Sequence, residues 1–136
     1  MRRLRLAALA LFALPALAAA TAANPAQAAT GPVLRFEYYS SQTLANGGTL
    51  DMGTGDTSFN LSAYVVNDGD QDLVLGTATL PAGIAFIVDP SGKTVAPGLM
   101  QTASMTCNAT TSGVMTIPSN TTTFSATVTC SLDGTG

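Results

Sequence analysis

Phe124-Ser125-Ala126-Thr127-Val128-Thr129-Cys130 is the stretch on which the fold turns. Apolar side chains stand at 124, 126, 128 and 130, and hydroxyls stand between them. A period of two is the pattern of a strand with one face in a core and one in water. Ala103-Ser104-Met105-Thr106-Cys107 repeats it, with Ala103, Met105 and Cys107 on the apolar parity. In both stretches the cysteine falls on the inward side. Two inward cysteines on neighbouring strands or facing sheets are placed to meet in the core. Cys107 and Cys130 are the only cysteines, so a single disulfide is expected in an oxidising compartment. The loop it would close, roughly two dozen residues, corresponds to about 3 kcal/mol of stabilisation by the chain-entropy argument.

Outward from these two strands, the same alternation recurs. Leu34, Phe36 and Tyr38 alternate with Arg35, Glu37 and Tyr39, and Phe59, Leu61, Ala63 and Val65 alternate with Asn60, Ser62, Tyr64 and Val66. Leu73-Val74-Leu75 reads as a short apolar strand, and Ile84 to Val88 as one buried on both faces. Turn signals punctuate the runs: Asn46-Gly47-Gly48, Asn67-Asp68-Gly69-Asp70, Pro81-Ala82-Gly83, Asp89-Pro90-Ser91-Gly92, Pro97-Gly98, Ser112-Gly113 and Pro118-Ser119-Asn120. Short strands at this spacing predict an all-β fold, an antiparallel β-sandwich of about seven to eight strands in one domain, residues 29–136.

Residues 1–28 read differently. Arg2, Arg3 and Arg5 precede an apolar run from Leu6 to Ala20, and Ala26-Gln27-Ala28 fits the small-x-small cleavage rule. Ala18-Ala19-Ala20 is a second candidate. The run falls short of the roughly 20 residues of a spanning helix, so a signal-peptide helix cleaved after Ala28 is expected, not a membrane anchor. No cysteine follows to carry a lipid. The expected location is secreted or periplasmic, with no membrane insertion after cleavage.

Beyond position 28 only Arg35 and Lys93 are basic, against eight Asp and Glu, a net charge of −6. That balance speaks against nucleic acid, which needs several Lys or Arg at each site. It speaks equally against docking on an anionic membrane.

The order of the punctuation carries a resemblance. Gly48-Thr49-Leu50-Asp51-Met52-Gly53, Phe59 to Val66 with Asn67-Asp68-Gly69, Leu73-Val74-Leu75, Leu80-Pro81-Ala82-Gly83-Ile84, Val95-Ala96-Pro97-Gly98, Ile117-Pro118-Ser119-Asn120 and Leu132-Asp133-Gly134-Thr135-Gly136 follow one another. From residue 47 to 136 the chain resembles the choice-of-anchor D, or Hydin-like, immunoglobulin-like domains. The resemblance implies an immunoglobulin-like sandwich used as a surface or scaffold module without catalytic residues, and it implies no particular ligand. The chain departs from the family at Met105-Thr106-Cys107-Asn108, where a proline is usual, and in its cysteine pair.

The chain has no histidine. The usual general base, the usual zinc ligand and the Ser-His-Asp arrangement are therefore missing. A Ser-Lys dyad would have to use Lys93, which sits among turn residues. No phosphate loop or dinucleotide fingerprint stands out. Asp68, Asp70 and Asp72, at alternate positions, resemble the opening of a calcium loop, since hard cations take several oxygens. The distal glutamate and mid-loop glycine of an EF-hand are missing, and the plain alternative is an acidic turn. Calcium is the one cofactor this pattern suggests. Tyr39 and Tyr64 have outward parity and are candidates for a binding face.

The expected function is that of an exported, non-catalytic interaction or structural module, with a protein or polysaccharide of the bacterial cell envelope as partner. One alternative is a fimbria-like subunit that assembles by strand exchange, with residues 29–42 as the donor. The other is a hydrolase working through Asp residues, which would need two facing carboxylates in a cleft.

Overall fold

Strands with one apolar face need a second layer to cover that face, and this chain supplies both layers. The computed structural model describes residues 30–134. The leader expected over residues 1–28, with its cleavage point, lies outside the described residues. In chain order the strands are β1 (Leu34–Tyr38), β2 (Gln42–Leu44), β3 (Thr49–Gly55), β4 (Phe59–Leu61), β5 (Ala63–Asn67), β6 (Leu73–Val74), β7 (Ile84–Phe86), β8 (Thr94–Val95), β9 (Met100–Thr102), β10 (Met105–Cys107), β11 (Thr111–Pro118) and β12 (Thr123–Leu132).

The first layer runs β2-β1-β5-β9 at one end and β4-β10-β7 at the other. Only Ser62 separates β4 from β5, and only Ala103 and Ser104 separate β9 from β10. One antiparallel register crosses both gaps: Leu61 faces Met105, and Tyr64 faces Thr102. At the gap Ala103 N–H donates to the Ala63 carbonyl at 2.8 Å, and Ser104 Oγ accepts from Ala63 N–H at 3.2 Å. The two halves are therefore a single sheet of long strands, with a hydroxyl replacing one ladder bond.

The second layer is β11-β12-β3, with β12 in the middle. The β6–β8 ribbon joins it through single bridges at Leu75–Ser119 and Thr79–Thr116. Between the layers, Phe36, Leu61, Val65 and Met105 of the first meet Leu50, Met52, Met115, Ile117 and Val128 of the second, all fully buried. Phe36 stacks on Phe124 with ring centroids 5.5 Å apart. Cys107 on the first layer and Cys130 on the second form the disulfide, with a Cα–Cα distance of 6.2 Å. The protein is an all-β, immunoglobulin-like sandwich, antiparallel but for one strand pair and stapled between its layers.

Three details differ from the sequence reading. First, β12 pairs with β3 in parallel, Thr127 beside Thr49 and Val128 beside Leu50. The connection from β2 explains it. Asn46 Oδ1 accepts from Ser125 N–H at 2.9 Å, and Gly47 N–H donates to Ser125 O at 2.6 Å, so the crossing loop is moored beside the start of β12 and β3 sets off in the same direction. Second, Ser112-Gly113 is no turn but part of β11. Glycine stands there because Pro81 packs on it; a Cβ at 113 would lie 2.5 Å from the Pro81 Cβ. Third, the run Ile84 to Val88 is not buried throughout. Ile84 is inside, but Ile87 and Val88 are exposed on a sheet edge.

Candidate functional site

The acidic turn after β5 is built around a buried amide. Asn67 continues the inward parity of Leu61, Ala63 and Val65, and it is completely buried. Its Nδ2 donates to the carbonyls of Gln71 at 2.7 Å and Val95 at 2.8 Å. Its Oδ1 accepts from the N–H groups of Gly69 at 2.9 Å and Val33 at 3.3 Å. One side chain thus ties together the turn, the segment leading into β1, and β8. Gly69 is required by close approach: a Cβ there would sit 2.1 Å from the Gly31 carbonyl oxygen.

The three aspartates of this turn go to different partners. Asp68 takes Arg35 in a two-pronged pair, Nε to Oδ2 at 2.7 Å and Nη2 to Oδ1 at 3.2 Å. Asp70 Oδ1 accepts from Gly31 N–H at 2.7 Å, while its own N–H donates to Gly31 O at 3.1 Å. The Asp72 carbonyl accepts from Asn120 Nδ2 at 3.2 Å. Among the described residues no three acidic, histidine or cysteine side chains converge as a metal site would require. The candidate calcium set Asp68, Asp70 and Asp72 is not brought around one point.

Arg35 has a second partner. Its Nη1 donates to Glu37 Oε2 at 3.1 Å, so Glu37, Arg35 and Asp68 form one charged row along the outer surface of the first layer. Hydrogen bonds to Asp68 and then to Glu37 push the guanidinium pKa even further above its ordinary value. The same surface carries Tyr64, half-buried, between Glu37 and Thr102 by register. Tyr39 does not join it. Its backbone is left-handed (φ 49°), and its hydroxyl donates to the Met52 carbonyl at 2.9 Å, so it latches the edge of the second layer. Of the two outward tyrosines, Tyr64 alone lies on this face.

The remaining charged turn, Asp89 to Lys93, is local in its bonding. Ser91 N–H donates to Asp89 Oδ1 at 2.9 Å, and Ser91 Oγ accepts from Ala78 N–H at 2.8 Å. Hydrogen bonding by Ser91 holds the Asp89 carboxyl below its ordinary pKa. Lys93 lies exposed in this turn, and among the described residues the surface has no cavity. The segment that strand exchange would need free is occupied as well: β1 pairs with β2 on one side and β5 on the other. The Arg35–Asp68 pair was not evident in the sequence, because the partners are 33 positions apart. Asn67 did carry a signal, a polar residue on an inward parity.

With this geometry in place, comparison with known proteins adds fold and little else. No protein-family model matches the sequence, and no curated protein does. Among solved structures, a protein of unknown function from Porphyromonas gingivalis W83 is similar, with a TM-score of 0.58 and 16% identity over 79% of this chain. This chain spans only 50% of that one. The secreted serine protease VesC from Vibrio cholerae gives a TM-score of 0.47 at 15% identity, over 71% of this chain and 23% of its own. SSP-19, an MSP-domain-like protein of Caenorhabditis elegans, gives 0.43 at 12% identity, over 60% of this chain and 94% of its own. At these identities the Porphyromonas likeness speaks for the two-layered β architecture alone.

Proposed function

We propose that this chain is an exported, non-catalytic interaction module of the bacterial envelope or medium, of the choice-of-anchor D type. The observation that carries the reading is the Cys107–Cys130 bridge. The only two cysteines of the sequence are both buried and joined across the core. Such a pair persists where thiols are oxidised, outside the cytoplasm. The Arg-rich start and the apolar run of residues 1–28 supply the route there. Support for the binding role comes from how the charged side chains are used. Asp68, Asp70 and Asp89 brace turns, and the accessible surface consists of sheet faces and edges, which proteins and polysaccharides can engage.

Fractionation of the source cells tests the compartment. The mature protein is expected outside the cytoplasm, beginning at Ala29, with no free thiol. An uncleaved chain in the cytoplasm with both thiols reduced would sink the reading. Affinity capture from the envelope fraction then tests the role, with Tyr64→Ala and Arg35→Ala as controls. Recovery of one envelope protein or glycan, weakened by either change, is the expected result.

A further inference from the structure

The outer edge of the first layer is unguarded where β9 runs. In an antiparallel pair, alternate residues turn their backbone groups toward the partner strand, and the others turn them away. Asn67 N–H donates to Leu99 O at 3.0 Å and Ala103 N–H to Ala63 O at 2.8 Å, so residues 99, 101 and 103 face β5. Met100, Thr102 and Ser104 therefore face outward. At Ser104 that outward carbonyl is taken by Ile87 N–H at 2.7 Å, which ends the line of β7. Past Ile87 the chain bends away, and among the described residues no strand continues alongside Thr102 and Met100. The Thr102 carbonyl instead accepts from the side chain of Gln101, Nε2 at 3.1 Å, an amide standing in for a missing neighbour.

Sheet edges in soluble proteins are commonly protected by lysine, proline, bulges or inward charges. This one has none of these along Leu99–Thr102, and no Asp, Glu, Lys or Arg occurs anywhere from Thr94 to Leu132. Four large apolar side chains are exposed along it instead: Leu99 at 59%, Met100 at 54%, Ile87 at 50% and Val88 at 40%.

We infer that this edge pairs with the same edge of a second copy of the chain. Two features fit a second copy at this edge. The first is charge. Two copies at a net −6 beyond position 28 repel, and an edge strand within the uncharged run Thr94 to Leu132 adds no charge of its own to that repulsion. The second is the arrangement of the exposed groups. A two-fold axis through Gln101 sets Met100 of each copy against Thr102 of the other, and these are the residues whose backbone groups point off the sheet. The same axis carries Leu99 of each copy to the position opposite Ala103 of the other, beside the end of β7, where Ile87 meets Ser104. The apolar pair on one side of Gln101 thus covers the apolar pair on the other side, the self-complementarity that a closed dimer requires. The carboxylates beside the edge are engaged within the chain: Asp89 by Ser91, and Asp68, next to the Asn67 that bonds Leu99, by Arg35. The first layers of the two copies would then form one continuous sheet.

Sedimentation velocity of the oxidised mature protein over a concentration series gives the first test, with a concentration-dependent monomer–dimer equilibrium expected. Met100→Lys, an exposed change that keeps the fold, raises the dimer dissociation constant by about tenfold or more. Val114→Lys, on the outer face of the other layer, leaves it unchanged. Gln101→Cys tests the register directly: the two introduced thiols face one another across the axis and link the dimer on mild oxidation, whereas Val114→Cys gives no link. A strictly monomeric protein at millimolar concentration, or a dimer indifferent to Met100→Lys, overturns the pairing. Capture of an envelope protein whose binding is abolished by Met100→Lys while the free chain stays monomeric overturns it too, in favour of a foreign strand. The pairing rests on the interaction-module reading, yet the two fail separately: a cytoplasmic chain that dimerises through Gln101 sinks the module alone, and an exported monomer sinks the pairing alone.

Discussion

Among the described residues Asn67 is the one buried polar side chain. Its carboxamide meets four backbone groups drawn from three parts of the chain. Replacement by alanine would strand the Val95 carbonyl and the Gly69 N–H without a partner, at roughly 1–3 kcal/mol for each buried group left unpaired. Asn67→Ala is expected to lower unfolding stability by about 3 kcal/mol in a urea titration. Asn67→Asp is no rescue, since it loses both donors. The aspartates beside it behave differently. Because Asp68 holds Arg35 and Asp70 holds the Gly31 amide, millimolar calcium is expected to leave the thermal midpoint where it was; a clear rise would show that these carboxylates regroup around the ion. Asp89 gives a pH signature. Its folded pKa lies below the ordinary value of 3.8, so its contribution is complete above that pH and is lost as pH falls through the lower folded value. The stability gap between the wild type and Ser91→Ala should therefore narrow on acidification. It should not close, because the bond from Ala78 N–H to Ser91 Oγ does not titrate.

At the level of strands, alternation was a faithful guide wherever a strand is long and one face is wet. β1, β5, β10 and β12 lie where the period-two runs placed them, and both cysteines face inward as their parity required. The guide missed three of the short strands. β2, β8 and β9 are held by their neighbours' ladders, and no alternation can be read over so short a length. It failed at Gly113 for another reason: glycine beside serine is a turn signal in isolation, and only the packing of Pro81 shows why a strand needs it there. The Arg35 row and the uncovered β9 edge depend on which strands lie side by side, and periodicity within one strand holds no information about that. The staple between the layers is an element-level prediction. The double change Cys107→Ala with Cys130→Ala should cost about 3 kcal/mol, read from denaturant midpoints under oxidising conditions, with the native fold retained at neutral pH.

For the molecule as a whole, the position of β12 matters most. The last strand of the described chain is the middle of the second layer, with β11 along one side and β3 along the other. A chain stopped at Ser119 would leave β3 with no neighbour, Cys107 with no mate and Phe36 without its stacked ring. Such a truncation is expected to show no cooperative melting by circular dichroism. Strand pairings between distant parts of the chain also make for slow assembly. A polypeptide threaded through a membrane pore or a ribosomal tunnel, amino end leading, would have to keep β3 waiting until nearly every later residue had come through. In that passage β3 and Cys107 meet their partners only once β12 has emerged.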